Sequence, residues 1–304
     1  MLSEHGVPIA PRTFHAWAAR GPSKRALWDA TITEVLAGYY EPDEYGRKKP
    51  ESLYGSLKMW AHLQREGIPV AKSTVERLMR RNGWQGVRRC KKVRTTIADP
   101  AAVRPPDLVD RQFGVSAPNL LVVADFTYVR LITGVFVYVA FVIDAYAGTI
   151  VGWEASGSKH TRFVESAIRQ AAALRRRQGH PIDGAIHHSD AGSQYTSVRF
   201  GETLSLSAIR PSVGSVGDAY DNALAETTIG LYKNECVRAD SPFRRGPLNT
   251  LGDVEYITAD YVAWYNQQRL MHRLGRVPPA EAEARYYSQR VADQPAGSQN
   301  PEGA

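Results

Sequence analysis

Three apolar runs rich in β-branched and aromatic residues follow one another almost without interruption: Leu120–Val129, Val135–Ile143 and Thr149–Trp153. The pairs Thr133-Gly134 and Ala147-Gly148 lie between them, which is the pattern of consecutive hairpins. Beyond residue 160 the pattern changes to alternation. A helix is predicted over 161–178, a strand over 184–188, a helix over 193–206, a strand over 208–211, and two helices over 223–237 and 253–266. The order βββαβαβα describes a mixed five-stranded sheet flanked by helices, an α/β (α+β) domain. A doubly wound sheet would alternate from its first strand. No GxGxxG or GxxxxGK[ST] is present to hold a nucleotide.

The front of the chain has another character. Residues 1–106 carry 19 Lys+Arg against 10 Asp+Glu, whereas 107–304 carry 19 against 21. A basic module joined to a nearly neutral one points to polyanion binding at one end, with an ordinary basic surface as the plainer reading. Ser23 is placed to cap a helix over 24–39, and Leu53, Leu57, Trp60 and Leu63 mark a second helix ending at Gly67. Ser73-Thr74-Val75-Glu76 has the capping-box pattern and opens a third helix. On it Val75, Leu78 and Met79 face inward and Lys72, Arg77, Arg80 and Arg81 outward. Two helices, a Gly-containing turn and a basic second helix fit a helix-turn-helix, or equally a plain helical hairpin. Arg88, Arg89, Lys91, Lys92 and Arg94 follow, five basic residues in seven, a run suited to tracking phosphates or to a solvated linker.

The layout expected is a helical segment over 1–38, a helix-turn-helix-like basic domain over 39–97 and a Pro-rich linker over 98–115. An RNase H-like core over 116–287 and a disordered tail over 288–304 complete it. Two cysteines 146 positions apart, Cys90 and Cys236, exclude a disulfide scaffold and a cysteine-based zinc finger. The longest apolar run has nine residues, too few for a membrane helix, and the first residues lack a secretory h-region. A reducing cytoplasm is the expected compartment.

Asp125 interrupts the apolar strand Leu121-Val122-Val123-Ala124-Asp125-Phe126-Thr127. A carboxylate there must reach solvent or find a partner for its charge. Asp190 lies just past a predicted strand end, where sites of open α/β sheets gather, and Glu226 lies in an apolar-flanked helix. Taken singly, each reads better as a surface acid. Together they form an oxygen-rich set suited to hard divalent cations, and a pair of such ions clamps the attacking and leaving oxygens of a phosphodiester. Thirty-five residues separate Asp190 from Glu226, and Lys233 lies seven further on, two helical turns along the same face.

These stretches resemble the catalytic subunit, from the second (OrfB) reading frame, of insertion-sequence-3-type transposases, with a retroviral-integrase-like D-D-35-E core. The resemblance rests on Ala124-Asp125-Phe126-Thr127-Tyr128-Val129, His187-His188-Ser189-Asp190, and Gly217 through Glu226. Tyr265-Asn266-Gln267-Gln268-Arg269-Leu270, Pro278-Pro279-Ala280-Glu281, Ile9 through Phe14 and Ser73 through Arg80 extend it over about residues 7–287. The family usually has Trp where Val122 and Phe243 stand and commonly Arg or Lys at Gly148; none of these is a metal ligand. The resemblance implies catalysis by Asp125, Asp190 and Glu226 holding two Mg²⁺ ions, with Mn²⁺ able to substitute. It implies cleavage and joining of insertion-sequence ends in a bacterial, nucleoid-associated setting. Its partners would be terminal inverted repeats, target DNA, and a first-frame (OrfA) protein or fusion with it, within a homo-multimer and without a membrane.

His187 and His188 adjoin Asp190, but neighbouring strand residues point to opposite faces, which disfavours a shared zinc ion. Asp218 and Asp221 compete with Glu226 as the third acid. Asn222, one turn before Glu226, reads either as a cap or as a DNA contact. Lys233 reads as a phosphate grip or a solvated lysine. Two rival functions remain at this level: a catalytically inactive DNA-binding regulator, and a stand-alone nuclease.

Overall fold

The computed structural model describes residues 10–87, 108–109, 114–190, 194–195, 197–213 and 223–292. The chain divides into two compact units that part between Gly86 and Val87.

The first unit is helical: α1 (Pro11–Ala18), α2 (Lys24–Tyr40), a 3-10 turn (Pro50–Leu53), α3 (Ser56–Arg65) and α4 (Lys72–Arg81). Ser23 caps α2 as expected, its Oγ accepting from the Ala26 N–H at 3.1 Å. α3 ends where Gly67 adopts φ +76°, the left-handed conformation that closes a helix without steric cost. The capping box expected on Ser73 does not form. α4 is capped two residues earlier, with Ala71 at its N-cap, and the N–H groups of Thr74 and Val75 donate to the Ala71 carbonyl. Ser73 is thereby drawn into the first turn. Ile32, Leu36 and Tyr40 of α2 share one core with Met59, Leu63, Val75, Leu78 and Met79. Tyr40 anchors that core, donating to the Tyr54 carbonyl at 2.6 Å and stacking on Trp84.

The second unit holds β1 (Leu121–Arg130), β2 (Phe136–Asp144), β3 (Ile150–Ser156), α5 (Arg162–Arg177), β4 (Ile186–Ser189), α6 (Val198–Leu206) and β5 (Arg210–Val213). α7 (Ala223–Tyr232), a π-helical segment (Lys233–Val237), α8 (Leu251–Gln267) and α9 (Pro279–Ala292) complete it. The sheet has the order β3-β2-β1-β4-β5, antiparallel among the first three strands and parallel from β1 to β5. This is the mixed, five-stranded RNase H-like sheet that the hairpins and the later alternation imply.

Alternation along the strands divides the core in two. On one face Val122, Ala124, Ala140, Val142 and Val151 pack with Phe163, Ile168, Phe200 and Leu204 of α5 and α6. Val122, where the family usually has Trp, is fully buried in this layer. α7 covers β1 and β2 and α8 covers β3 on the other face, where Phe141 meets the Tyr232 ring at 5.0 Å. Phe243 packs against the rings of Tyr261 and Trp264. Gly148 has φ +72°, and a Cβ there would collide with the Arg273 guanidinium.

The edges of the unit differ from expectation. Leu108 and Val109, assigned to the linker, belong to it: the Leu108 N–H donates to Ser212 on β5 at 2.9 Å, and Val109 is buried. α9 continues to Ala292, past the expected start of a tail at residue 288.

Candidate active site

Asp125 and Asp190 meet where two parallel strands part. Ala124 and Ser189 are the last register partners of β1 and β4; Asp125 follows the one and Asp190 the other. β4 ends there, while β1 continues to Arg130. Carboxyl ends of neighbouring parallel strands make a natural crevice. Asp125 is half-buried, with its Oδ1 accepting from the Phe126 N–H at 2.7 Å; Asp190 is exposed. Glu226 lies half-buried in the first turn of α7, the helix that packs on β1 and β2.

Tyr195 links the two aspartates electrostatically. Burial pushes its phenol well above the ordinary tyrosine range, and the negative charges of Asp125 and Asp190 push it the same way. Its hydroxyl is buried and makes no hydrogen bond among the described residues. Sequence reasoning missed this residue, although it stands only five positions after Asp190 in the sequence. Among the described residues no three His, Cys, Asp or Glu side chains are drawn together closely enough to hold a metal ion. The two aspartates and Glu226 therefore occupy neighbouring elements without forming a closed ligand cage.

Lys233 is exposed at the point where α7 passes from α to π geometry, with its Nζ 4.8 Å from the centre of the Tyr128 ring. Behind it Glu235 is buried against Arg269, with Arg269 Nη2 at 2.6 Å from Oε1 and Nε at 2.7 Å from Oε2. Tyr261 donates to the same carboxylate at 3.1 Å. Trp264 and Tyr265 are core residues, as expected.

The histidines divide as the pleat requires. His187 lies against Phe200 and Tyr195, whereas His188 Nδ1 is 2.9 Å from Ser212 Oγ on β5. Burial, with a contribution from His188, lowers the His187 pKa to about 3 and keeps the ring neutral. A shared zinc ion does not fit this arrangement.

In the helical unit Lys72, Arg80 and Arg81 are exposed on α4. Arg80 bonds Glu76 one turn away at 3.2 Å. Arg77 turns instead to Asp29 of α2 at 2.7 Å, and its hydrogen bond holds that carboxyl below its ordinary range. Asn222, Asp218, Asp221, Arg88, Arg89, Lys91, Lys92, Arg94 and Cys90 lie outside the described residues.

Comparison with known proteins agrees with this architecture. The family described as "Integrase core domain" matches residues 115–219 and, in a second form, 207–279. "HTH-like domain" matches residues 44–92. The transposase for insertion sequence element IS629 of Shigella sonnei is 49% identical over 285 residues, covering 92% of this chain and 90% of that protein. A protein of insertion sequence element IS986/IS6110 from Mycobacterium tuberculosis is 49% identical over 285 residues, covering 93% and 98%. Among solved structures, the HTLV-2 integrase catalytic core domain in complex with magnesium aligns with a TM-score of 0.42 at 20% identity, over 55% of this chain and 98% of that one. The chain belongs to the insertion-sequence-3-type transposases, DNA-acting polynucleotidyl transferases of the DDE class with a helix-turn-helix-like domain ahead of an integrase core.

Proposed function

We propose that this transposase cuts and joins DNA at insertion-sequence ends, with Asp125, Asp190 and Glu226 as its metal ligands. The observation that carries the reading is the fork of β1 and β4. It sets Asp125, where β1 runs on past its pairing with β4, next to Asp190 at the end of β4, beside the helix that bears Glu226. Three carboxylates are the donor set that hard divalent cations prefer, so the residues fit two Mg²⁺, with Mn²⁺ as a substitute. Bound there, the ions would supply Lewis acidity and neutralise charge at the reacting phosphodiester.

The chain's own residues do the positioning. Asp125 is held by β1, and the sheet fixes Asp190 relative to it. Asp190 is exposed, within reach of a DNA strand. Water first opens one phosphodiester and leaves a 3′-hydroxyl. That hydroxyl then attacks a second phosphodiester in line, forming one P–O bond as another breaks and its alcohol leaves. Lys233 grips a phosphate as a mobile point charge beside the acids. Asn222 contacts the DNA end or orients a ligand. Lys72, Arg77, Arg80, Arg81 and the run Arg88, Arg89, Lys91, Lys92 and Arg94 supply phosphate contacts from the front of the chain. The Arg77–Asp29 pair makes Arg77 the weakest member of that set. A homo-multimer holding both ends, joined by a first-frame protein or carried in a fusion with it, completes the proposed assembly.

The test is joining of a labelled terminal-repeat duplex to target DNA with Mg²⁺. Joined product that disappears in Asp125→Asn, Asp190→Asn and Glu226→Gln supports the reading. Cleavage without joining identifies a nuclease, and binding with neither identifies a regulator.

A further inference from the structure

An aromatic pair beside the acidic fork has no role in the chemistry above. β4 pairs β1 only through Leu121–Ala124, so residues 125–130 of β1 continue beyond that partner. On this overhang Tyr128 is 48% exposed, and Phe136 of β2 is 42% exposed. Their rings meet edge to face with centroids 5.2 Å apart. Tyr128 belongs to the sheet face opposite Asp125, yet Lys233 reaches it from α7, with its ammonium 4.8 Å from the ring centre. Lysine and ring therefore stand together where β1 runs on beyond β4.

The spacings agree along both elements. Asp125 to Tyr128 is about 10 Å of strand at about 3.3 Å per residue. Glu226 to Lys233 is also about 10 Å of helix at about 1.5 Å per residue. The ring and ammonium thus lie together, about 10 Å from the acids, a displacement of one or two nucleotides of an extended strand. Arg130 adds a second exposed cation on the same overhang.

Aromatic faces with cations beside them accept unpaired bases, because every base has a π-face and its phosphate needs a counter-charge. We propose that Tyr128, supported by Phe136 and Lys233, stacks an unpaired nucleobase of the DNA end, one or two nucleotides from the reacting phosphodiester. This rests on the reading of the acids as the cutting site. The ammonium leaves the ring for the phosphate as the base arrives. Charge complementarity and continuity with the acidic fork favour a nucleotide over an apolar protein segment.

The test uses the full chain and terminal duplexes with 2-aminopurine near the end, either fully paired or with two unpaired terminal nucleotides. The parent should quench 2-aminopurine at one end position and bind the unpaired end more tightly. Tyr128→Ser should lose the quench and about 5- to 150-fold of that affinity, the equivalent of about 1–3 kcal/mol for one stacked base. Tyr128→Trp should keep both. Equal binding of paired and unpaired ends by parent and Tyr128→Ser, or a quench unchanged by the substitution, would overturn the proposal. So would conversion of an oligomer to a monomer with end binding intact, which would assign the patch to a second copy. Joining, scored on the same samples, separates the two readings. Joining by the parent with no quench that depends on Tyr128 sinks the stacking proposal alone, whereas a Tyr128-dependent quench in a parent that joins nothing supports the stacking and sinks the strand-transfer reading.

Discussion

The second unit holds two kinds of acid. Asp144, Glu283 and Glu235 are buried and tied to arginine: Arg175 reaches Asp144 at 3.0 Å and Glu283 at 2.7 Å, and Arg269 grips Glu235 with two bonds. Asp125, Asp190 and Glu226 are half-buried or exposed and stand within β1, just past the end of β4 and in a helix's first turn. A carboxylate sealed from water needs a fixed counter-charge and all its hydrogen bonds, and it then holds elements together. Thr149, for example, donates to Glu283 at 2.6 Å and so ties the start of β3 to α9. A carboxylate left in reach of solvent can still exchange partners, as catalysis on a cation requires. Charge count alone does not separate the two groups; burial does.

The comparison is broken most severely by neutralising the second group. Asp190→Asn should cost on the order of 10³-fold in joining, the rate equivalent of several kcal/mol of lost charge stabilisation. Its unfolding free energy should stay within about 0.5 kcal/mol, as for other surface substitutions. Denaturation and end-joining on the same sample check both halves. Removing one member of the buried group should act in the reverse sense. Glu235→Ala should destabilise by about 3–5 kcal/mol, because Arg269 stays buried without its carboxylate partner. Urea unfolding measures this, and a loss below about 1 kcal/mol would show that water already reaches this pair.

A third substitution sharpens the contrast by adding pH. His187 is neutral when folded, with its pKa lowered by burial to about 3 from 6.5. The unfolded chain takes up a proton below pH 6.5 that the folded chain refuses, so stability is present above that pH and is lost on acidification. The loss should reach about 2.7 kcal/mol over two pH units, at about 1.36 kcal/mol per unit. His187→Phe should flatten that part of the profile, as equilibrium unfolding from pH 7 to pH 4.5 would show. The smallest effect belongs to Lys233. Lys233→Ala should reduce the log–log salt slope of DNA-end binding by about 0.9, the release of one counterion from duplex DNA. An unchanged slope would leave the lysine as a ring-stacked surface residue.

Much of this was legible in the sequence. An acid amid Leu121-Val122-Val123-Ala124 stands out without a structure, and the Gly-bearing turns announce β1, β2 and β3. Ser23 and Gly67 mark helix ends because caps act locally. What escaped notice depends on distant partners. Arg175 and Glu283 are 108 residues apart and Arg269 and Glu235 are 34 apart, so neither pair leaves a local pattern. The capping box that forms is Thr250–Asp253, while the one read at Ser73 does not, because Ala71 starts that helix first. α9 was hidden for another reason: it buries Pro279 and Glu283, which give no apolar period.

The π-helical segment sets a rule for length variation in this helix. Glu235 must face Arg269 while Glu226, nine positions earlier, stands in the first turn of the helix that packs on β1. Removing one residue between them while the π geometry is kept would rotate everything downstream by about 100° relative to Glu226 and carry the carboxylate away from its arginine. An insertion would turn it the other way. Insertions and deletions among relatives should therefore accumulate after Val237, in the turn-rich stretch before α8, and be absent from residues 226–235.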